Sequence, residues 1–363
     1  MRKTIFAIMT LTALAACTTK EPAVEESAAD KLITRLAQLQ EKGIMIGHQD
    51  DPVYGTSWKW DEGRSDVLEV CGDYPAVIGF DIGKIELGGE ENIDGVPFDR
   101  MRKEIIAHHE RGGIITLSWH AWNPVTGENS WDTTGVAVRA VLAEGATAQK
   151  FGSWLKTVAD FINTLKTAEG EKVPVIFRPW HEMSGFWFWW GSQTCTPEQY
   201  QQLYMLTYNT LNEAGCDNIV WAYSPNLNDG AETEEDYMKY YPGDEAVDLV
   251  GIDIYQFDPD KTIYQNNLRK ELSVVEAVGE KHQKIVALTE TGYQNVPDSL
   301  WFTGCLLPVL KEYPLSYVLI WRNAWDKPEE NYIAAPGKPT VEDFKNFYAD
   351  PHTLFCKDID NNQ

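Results

Sequence analysis

The chain has no C-x-x-C pair, no run of lysine or arginine, and no apolar stretch approaching the roughly 20 residues of a membrane-spanning helix. Each absence excludes something. Six cysteines are spread over 363 residues with no ligand spacing among them, which argues against a zinc site. Five of them (Cys71, Cys195, Cys216, Cys305 and Cys356) lie beyond the first, an odd number, and a chain this long needs no staples to fold, so no disulfide framework is expected. His181-Glu182 lacks a second histidine four residues on, since position 186 is Phe, and His108-His109 are adjacent in a helical stretch, where they point apart. No metal and no cofactor are expected. The deficit of positive charge is large: the formal net charge is −24. Such a surface repels nucleic acid and anionic lipid, while an uncharged polysaccharide meets no such barrier.

What is present begins at Met1-Arg2-Lys3, followed by an apolar run from Thr4 that ends Leu14-Ala15-Ala16-Cys17. A basic start, a short apolar segment and small residues before the cut are the marks of a secretory signal. The ending resembles a bacterial lipobox, which implies cleavage before Cys17 and acylation of that cysteine. Residues 1–17 are thus expected to be a lipoprotein signal and residues 18–29, small, polar and acidic around Pro22, a tether. Thr18-Thr19-Lys20 lacks the acidic run that marks surface export in some bacterial lineages, so the expected place is the periplasmic face of a membrane. A single domain is expected over 30–356, with 357–363 as a tail and a monomer as the working state.

Between those limits, short β-branched apolar runs alternate with amphipathic stretches. The runs are Ile44–Gln49, Ala76–Phe80, Gly113–Trp119, Val173–Phe177, Ile219–Tyr223, Leu249–Ile254, Ile285–Thr289 and Tyr317–Ile320. Helices are expected over Ala29–Glu41, Phe98–Arg111, Ala148–Thr167, Pro197–Ala214 and Asn267–Lys281. Strands apolar throughout and separated by helices predict a parallel sheet buried on both faces. Eight such units without a glycine-rich phosphate loop after the first predict an α/β fold, a closed (β/α)8 TIM barrel. Polar and aromatic residues gather just after the strands, where a barrel has its mouth.

Two glutamates stand out there. Glu182 follows the fourth strand in Arg178-Pro179-Trp180-His181-Glu182-Met183, and Glu290 ends the seventh in Thr289-Glu290-Thr291-Gly292. A protonated carboxyl paired with an ionised one is what glycoside cleavage requires, because the leaving oxygen must be protonated while positive charge grows at the anomeric carbon. Fourteen tryptophans, many in post-strand segments, suit stacking against the apolar faces of sugars. Trp119, Trp180 and Trp221 are expected to be core, whereas part of the Phe186–Trp190 run is expected to line a cleft.

These motifs, together with Ser118-Trp119-His120, Asn123, Gly251-Ile252-Asp253-Ile254-Tyr255, Gly47-His48-Gln49 and Trp321-Arg322-Asn323, resemble glycoside hydrolase family 26, whose commonest activity is β-mannanase. The resemblance implies a retaining double displacement on β-mannan or manno-oligosaccharides, with Glu182 as acid/base and Glu290 as nucleophile. It implies further that His120 and His181 hold the sugar at the cleavage point, that Trp321 stacks beneath it, that Tyr255 hydrogen-bonds the nucleophile and that Trp187 supports the leaving-group side. Arg178 and Asn123 are carried over as residues that orient the carboxylates and the pocket. Trp180 and Ser184 depart from the family's usual Phe and Asn, a matter of packing and one hydrogen bond. The acidic loop Gly83–Val96, with Glu86, Glu90, Glu91 and Asp94, is read as a wall that favours release of short products such as mannobiose, or as solvated ornament. A related β-glucanase or β-xylanase stays open at this point, as does a glycan-binding lipoprotein, which would need the tryptophans but not two opposed glutamates.

Overall fold

The computed structural model describes residues 26–226 and 233–360. Eight strands follow one another: β1 (Ile44–Gln49), β2 (Val77–Asp81), β3 (Ile114–Trp119), β4 (Val175–Pro179), β5 (Ile219–Tyr223), β6 (Leu249–Gln256), β7 (Ile285–Tyr293) and β8 (Tyr317–Ile320). Each pairs in parallel with the next. β8 returns to β1, with Met45 opposite Tyr317 and His48 opposite Ile320, and the barrel closes as expected. Helices including Phe98–Glu110, Ala146–Asn163, Pro197–Glu213 and Lys261–His282 form the outer layer. None among the described residues is long and apolar enough to cross a membrane.

Alternation along the strands separates two apolar cores. Ile46, Ile78, Phe80, Leu117, Phe177, Trp221 and Leu288 point outward into the layer between sheet and helices. Met45, Val77, Ile114, Ile176, Val220, Leu249, Ala287 and Tyr317 point inward and fill the lower barrel. The helix Ala28–Gln40 covers that end, with Leu32, Leu36 and Leu39 packed among the inward residues. One or two pairs of positions higher, the inward side chains are Gln49, Asp81, Ser118, Arg178 and Asp253, all buried. The barrel is thus oily at its floor and charged at its mouth.

The packed chain is longer than 30–356 at both ends. Ser27 caps the first helix, its Oγ accepting from Asp30 N at 3.1 Å while the Asp30 carboxylate accepts from Ser27 N at 3.2 Å. At the other end, 357 does not begin a tail. A short helix Cys356–Ile359 folds back, Ile359 is buried, and its carbonyl accepts from Arg35 at 2.7 Å. Cys17 and most of the expected tether lie outside the described residues.

Candidate active site

Glu290 reaches the barrel interior through an irregularity. With strict alternation, Ala287 and Thr289 would face inward and Glu290 outward. Instead Ile252 pairs with Leu288 but Asp253 pairs with Glu290, and on the other side Val318 pairs with Leu288 but Ile320 with Thr291. Both neighbours register one extra residue in β7 at this point. Such a bulge re-aims the following side chain, and it turns Glu290 toward the axis while the strand runs on to Tyr293. Thr289, displaced by the bulge, donates to Ile252 O at 3.0 Å and to Asp253 Oδ1 at 2.6 Å.

Glu290 is held from two sides. Arg178 Nη2 donates to Oε1, and the Tyr255 hydroxyl donates to Oε2 at 2.9 Å. The same guanidinium donates through Nη1 to both oxygens of Asp253, at 3.2 and 3.0 Å, and to Ser224 Oγ at 2.9 Å. Arg178 is 1 % exposed. In that setting a planar fork bridging two carboxylates fixes their orientation as well as their charge. Burial and the Glu290 carboxylate raise the Tyr255 pKa well above its usual value, so the phenol stays a donor.

Glu182 is supported quite differently. It sits in the tight turn after β4, where Trp180 and Glu182 both adopt left-handed backbone, at φ 57° and 56°. Non-glycine residues in that region cost about 1–3 kcal/mol each and persist only where surrounding contacts hold them. Here Glu182 N donates to Ser224 O at 2.8 Å, and the Trp180 indole and carbonyl are bonded to Thr207 and Tyr200. The Glu182 carboxylate accepts from Trp187 Nε1 and from Asn226 Nδ2, each at 2.8 Å. Among the described residues no cation pairs with it directly. Burial, and next the Glu290 charge, push its pKa up to about 7 against those two hydrogen bonds. One oxygen of each of Glu182, Asp253 and Glu290 lies within 4.8 Å of the others. This is the only such acidic group with metal-ligand spacing among the described residues, but Arg178 already bridges two of its three carboxylates.

Two histidines complete the pocket beside the pair. Asp81 accepts from His120 Nδ1 at 2.7 Å and from Ser118 Oγ at 2.8 Å. Burial opposes protonation of His120, but Asp81, and more distantly Glu290 and Asp94, outweigh it and raise its pKa. His181, edge-on to His120 at 4.6 Å, is driven the other way, well below the usual imidazole value, by burial and next by the electrostatic influence of His120 and Arg178. Trp131 stacks on His120 at 5.2 Å, and Phe188 packs against both rings. Above them opens a cleft of about 630 Å³, lined among others by Trp131, Glu182, Trp187, Asn226, Tyr255 and Trp321. A second hollow of about 420 Å³ shares Trp131 as its wall and is lined by Lys84, Asp94, Arg322 and Trp325. A neutral polymer with apolar faces and many hydroxyls suits such a trough, and the pair of carboxylates at its centre can protonate and attack an acetal.

The sequence profile of glycosyl hydrolase family 26 matches residues 22–355. The chain belongs to that family. Among solved structures, a family 26 β-mannanase from Bacteroides ovatus superposes with a TM-score of 0.89 at 46% identity, covering 93% of this chain and 98% of that one. Among characterised proteins, a mannan endo-1,4-β-mannosidase from Bifidobacterium adolescentis is 32% identical over 82% of this chain. Another from Bacillus subtilis is 29% identical over 71%. The chain spans 32% of the Bifidobacterium protein's length and 69% of the Bacillus one's.

Glu182, Glu290, His120, His181, Arg178, Tyr255, Trp187 and Trp321 lie together at the barrel mouth, but Asn123 does not join them. Its side chain is buried in its own loop, donating to Asp132 O at 2.7 Å and Thr134 O at 3.0 Å and accepting from Val125 N and Thr126 N. Four backbone bonds consume the amide, so it holds the segment that carries Trp131 and does not reach the pocket. Asn226, missed in the sequence, is a direct support of Glu182. The one available signal was its place just past β5, at the same end of the barrel as the other mouth residues. Ser184 makes two hydrogen bonds where one was foreseen, donating to Asn226 O at 2.8 Å and accepting from Asn226 N at 3.0 Å. The Gly83–Val96 loop is no ornament: buried Glu86 accepts from Trp119 Nε1 at 3.0 Å and Trp122 N at 2.7 Å, with burial raising its pKa to about 7.

Proposed function

We propose that this chain hydrolyses β-1,4-mannosidic linkages in mannan and manno-oligosaccharides with retention at the anomeric carbon. The observation that carries the reading is the spacing and asymmetry of the pair. One oxygen of each carboxyl within 4.8 Å of the other fits the close spacing of direct attack, about 5–5.5 Å, better than the roughly 6.5–9.5 Å at which an inverting enzyme admits a water. Glu182, half protonated near neutral pH, gives its proton to the glycosidic oxygen as the C1–O bond breaks. Glu290, hydrogen-bonded by Arg178 and Tyr255, forms the C1–Oε bond. Water then loses a proton to Glu182 as its oxygen displaces Glu290 from C1. Mannan as the polymer is supported by the names of the relatives.

Two finer points belong to the same reading. At one end of the cleft the loops after β2 and β8 are joined by Asp94 and Arg322 at 2.7 Å, which supports release of short products such as mannobiose. The enzyme works as a monomer held by acylated Cys17 at the periplasmic face of a membrane, on the strength of the N-terminal sequence pattern. Incubation with β-1,4-mannan, cellulose, mixed-linkage glucan and xylan, with the first product's anomer read by NMR, tests the proposal. Mannose oligomers released as the β-anomer are expected. Glucan or xylan cleavage instead overturns the substrate, and an α-anomer overturns the mechanism.

A further inference from the structure

Phe257 is 90% exposed although it directly follows β6, one of the best anchored strands of the barrel. Its exposure does not come from a frayed loop. On one side Gln256 is buried and pinned, its Oε1 accepting from Trp301 Nε1 at 2.8 Å and its Nε2 donating to Asp258 O at 2.9 Å. On the other, Asp258 Oδ1 accepts from Asp260 N at 2.8 Å at the start of the helix Lys261–His282. The ring leans against Tyr255, centroids 6.3 Å apart at 34°, and Tyr255 is the residue that bonds the nucleophile. Single exposed apolar residues are ordinary. Here Phe257 and half-exposed Ile263 line the same cleft as Glu182 and Trp187, with Asp258 and Asn267 offering hydrogen-bonding groups between them. The hollow at Arg322 and Trp325 lies beyond Trp131 and does not include Glu182. The leaving group departs on the side of the proton donor, so the ledge of Phe257 and Ile263 lies along the path of the outgoing chain.

We infer that Phe257 is the stacking surface for leaving-group sugars beyond the first, and that it also captures sugar acceptors which compete with water for the glycosyl-enzyme. In that transfer the acceptor hydroxyl gives its proton to Glu182 while its oxygen replaces Glu290 on C1. The inference rests on the mannanase reading above. It is tested in the full chain with Phe257→Ala and Phe257→Tyr, on mannohexaose and on 4-nitrophenyl β-mannobioside, whose small aryl group does not reach the ledge. For Phe257→Ala, kcat/KM on mannohexaose is expected to fall about tenfold, equivalent to ~1.4 kcal/mol, and transfer products with added mannotriose to fall with it. The aryl substrate should change less than about twofold, and Phe257→Tyr should restore the hexaose rate because the ring face is retained. Equal losses on both substrates, or no loss on the hexaose, overturn the inference. Wild-type enzyme that leaves mannohexaose intact would instead sink the mannanase reading, before any variant is compared.

Discussion

The two neutral donors on Glu182 set the alkaline limit of the enzyme, and Asn226→Ala isolates one of them. The amide Nδ2 sits 2.8 Å from Oε1 and donates to it, which favours the ionised form. A hydrogen bond to a charged group is worth about 1.5–3 kcal/mol. The lower end applies, because Glu182 lines an open cleft, and ~1.5 kcal/mol corresponds to roughly one pKa unit. Loss of the donor destabilises the carboxylate, so the pKa of about 7 moves up, toward about 8. Glu182 must be protonated to act as an acid, and kcat/KM for an unactivated substrate falls as pH rises through that value. The variant's alkaline limb on mannopentaose should therefore lie about one unit higher than the wild type's. The backbone bonds between residue 226 and Ser184 survive truncation, so the loop keeps its place. A kcat/KM profile from pH 5 to 10 decides the matter. A limb that stays put, or moves down, refutes the account; a uniform drop at all pH values would show that Asn226 only packs.

Three other outcomes follow from the same geometry. Glu182→Gln should stabilise the fold above neutral pH. A carboxyl whose folded pKa is raised from 4.5 to about 7 loses stability as pH climbs through that window, and glutamine removes the loss, so a Tm gain is expected at pH 8 and none at pH 4. Glu290→Ala should abolish turnover of mannan, and azide should restore activity on an activated aryl mannobioside to give the inverted α-azide; a product of retained configuration would remove Glu290 from the nucleophile's role. Cys17→Ala should move the protein from the membrane fraction to the soluble fraction on cell lysis, and continued membrane association would dismiss the lipobox.

The barrel was legible because its signals are local. Ile219–Tyr223 and Tyr317–Ile320 are runs of β-branched and aromatic residues that pack on both faces whatever their neighbours are, and the structure places those strands at the same residues. The glutamates were legible because strand ends in a barrel share one mouth. The destinations of single side chains were not. Asn123 is polar, post-strand and next to the right motif, yet its amide goes to four backbone groups of its own loop. Glu86 belongs to an acidic run that reads as solvated, but two indole-bearing residues on and after β3 draw it inward. Asn226 escaped notice because nothing in Ser224-Pro225-Asn226 shows that a carboxylate from another strand lies above it. Within β7, one extra residue in a strand of nine leaves no trace in composition, and only pairing with two neighbours exposes it.

That extra residue makes the nucleophile's position a matter of counting. Side chains on a barrel strand alternate between lumen and shell, so by plain alternation Glu290 would face the helices, and one extra residue returns it to the lumen without disturbing any apolar residue below Leu288. Loops at the rim are free to lengthen, shorten and change the sugars they admit, since none of them decides where the carboxylate points. Deletion of Thr289 should abolish the bulge and keep the address: Glu290 would follow Leu288 directly, pair with Asp253 in plain alternation and still face the lumen, without the Thr289 bond to Asp253. Recruitment of this scaffold to a new glycan is thus a change of rim, while the reaction itself is written into the parity of one strand.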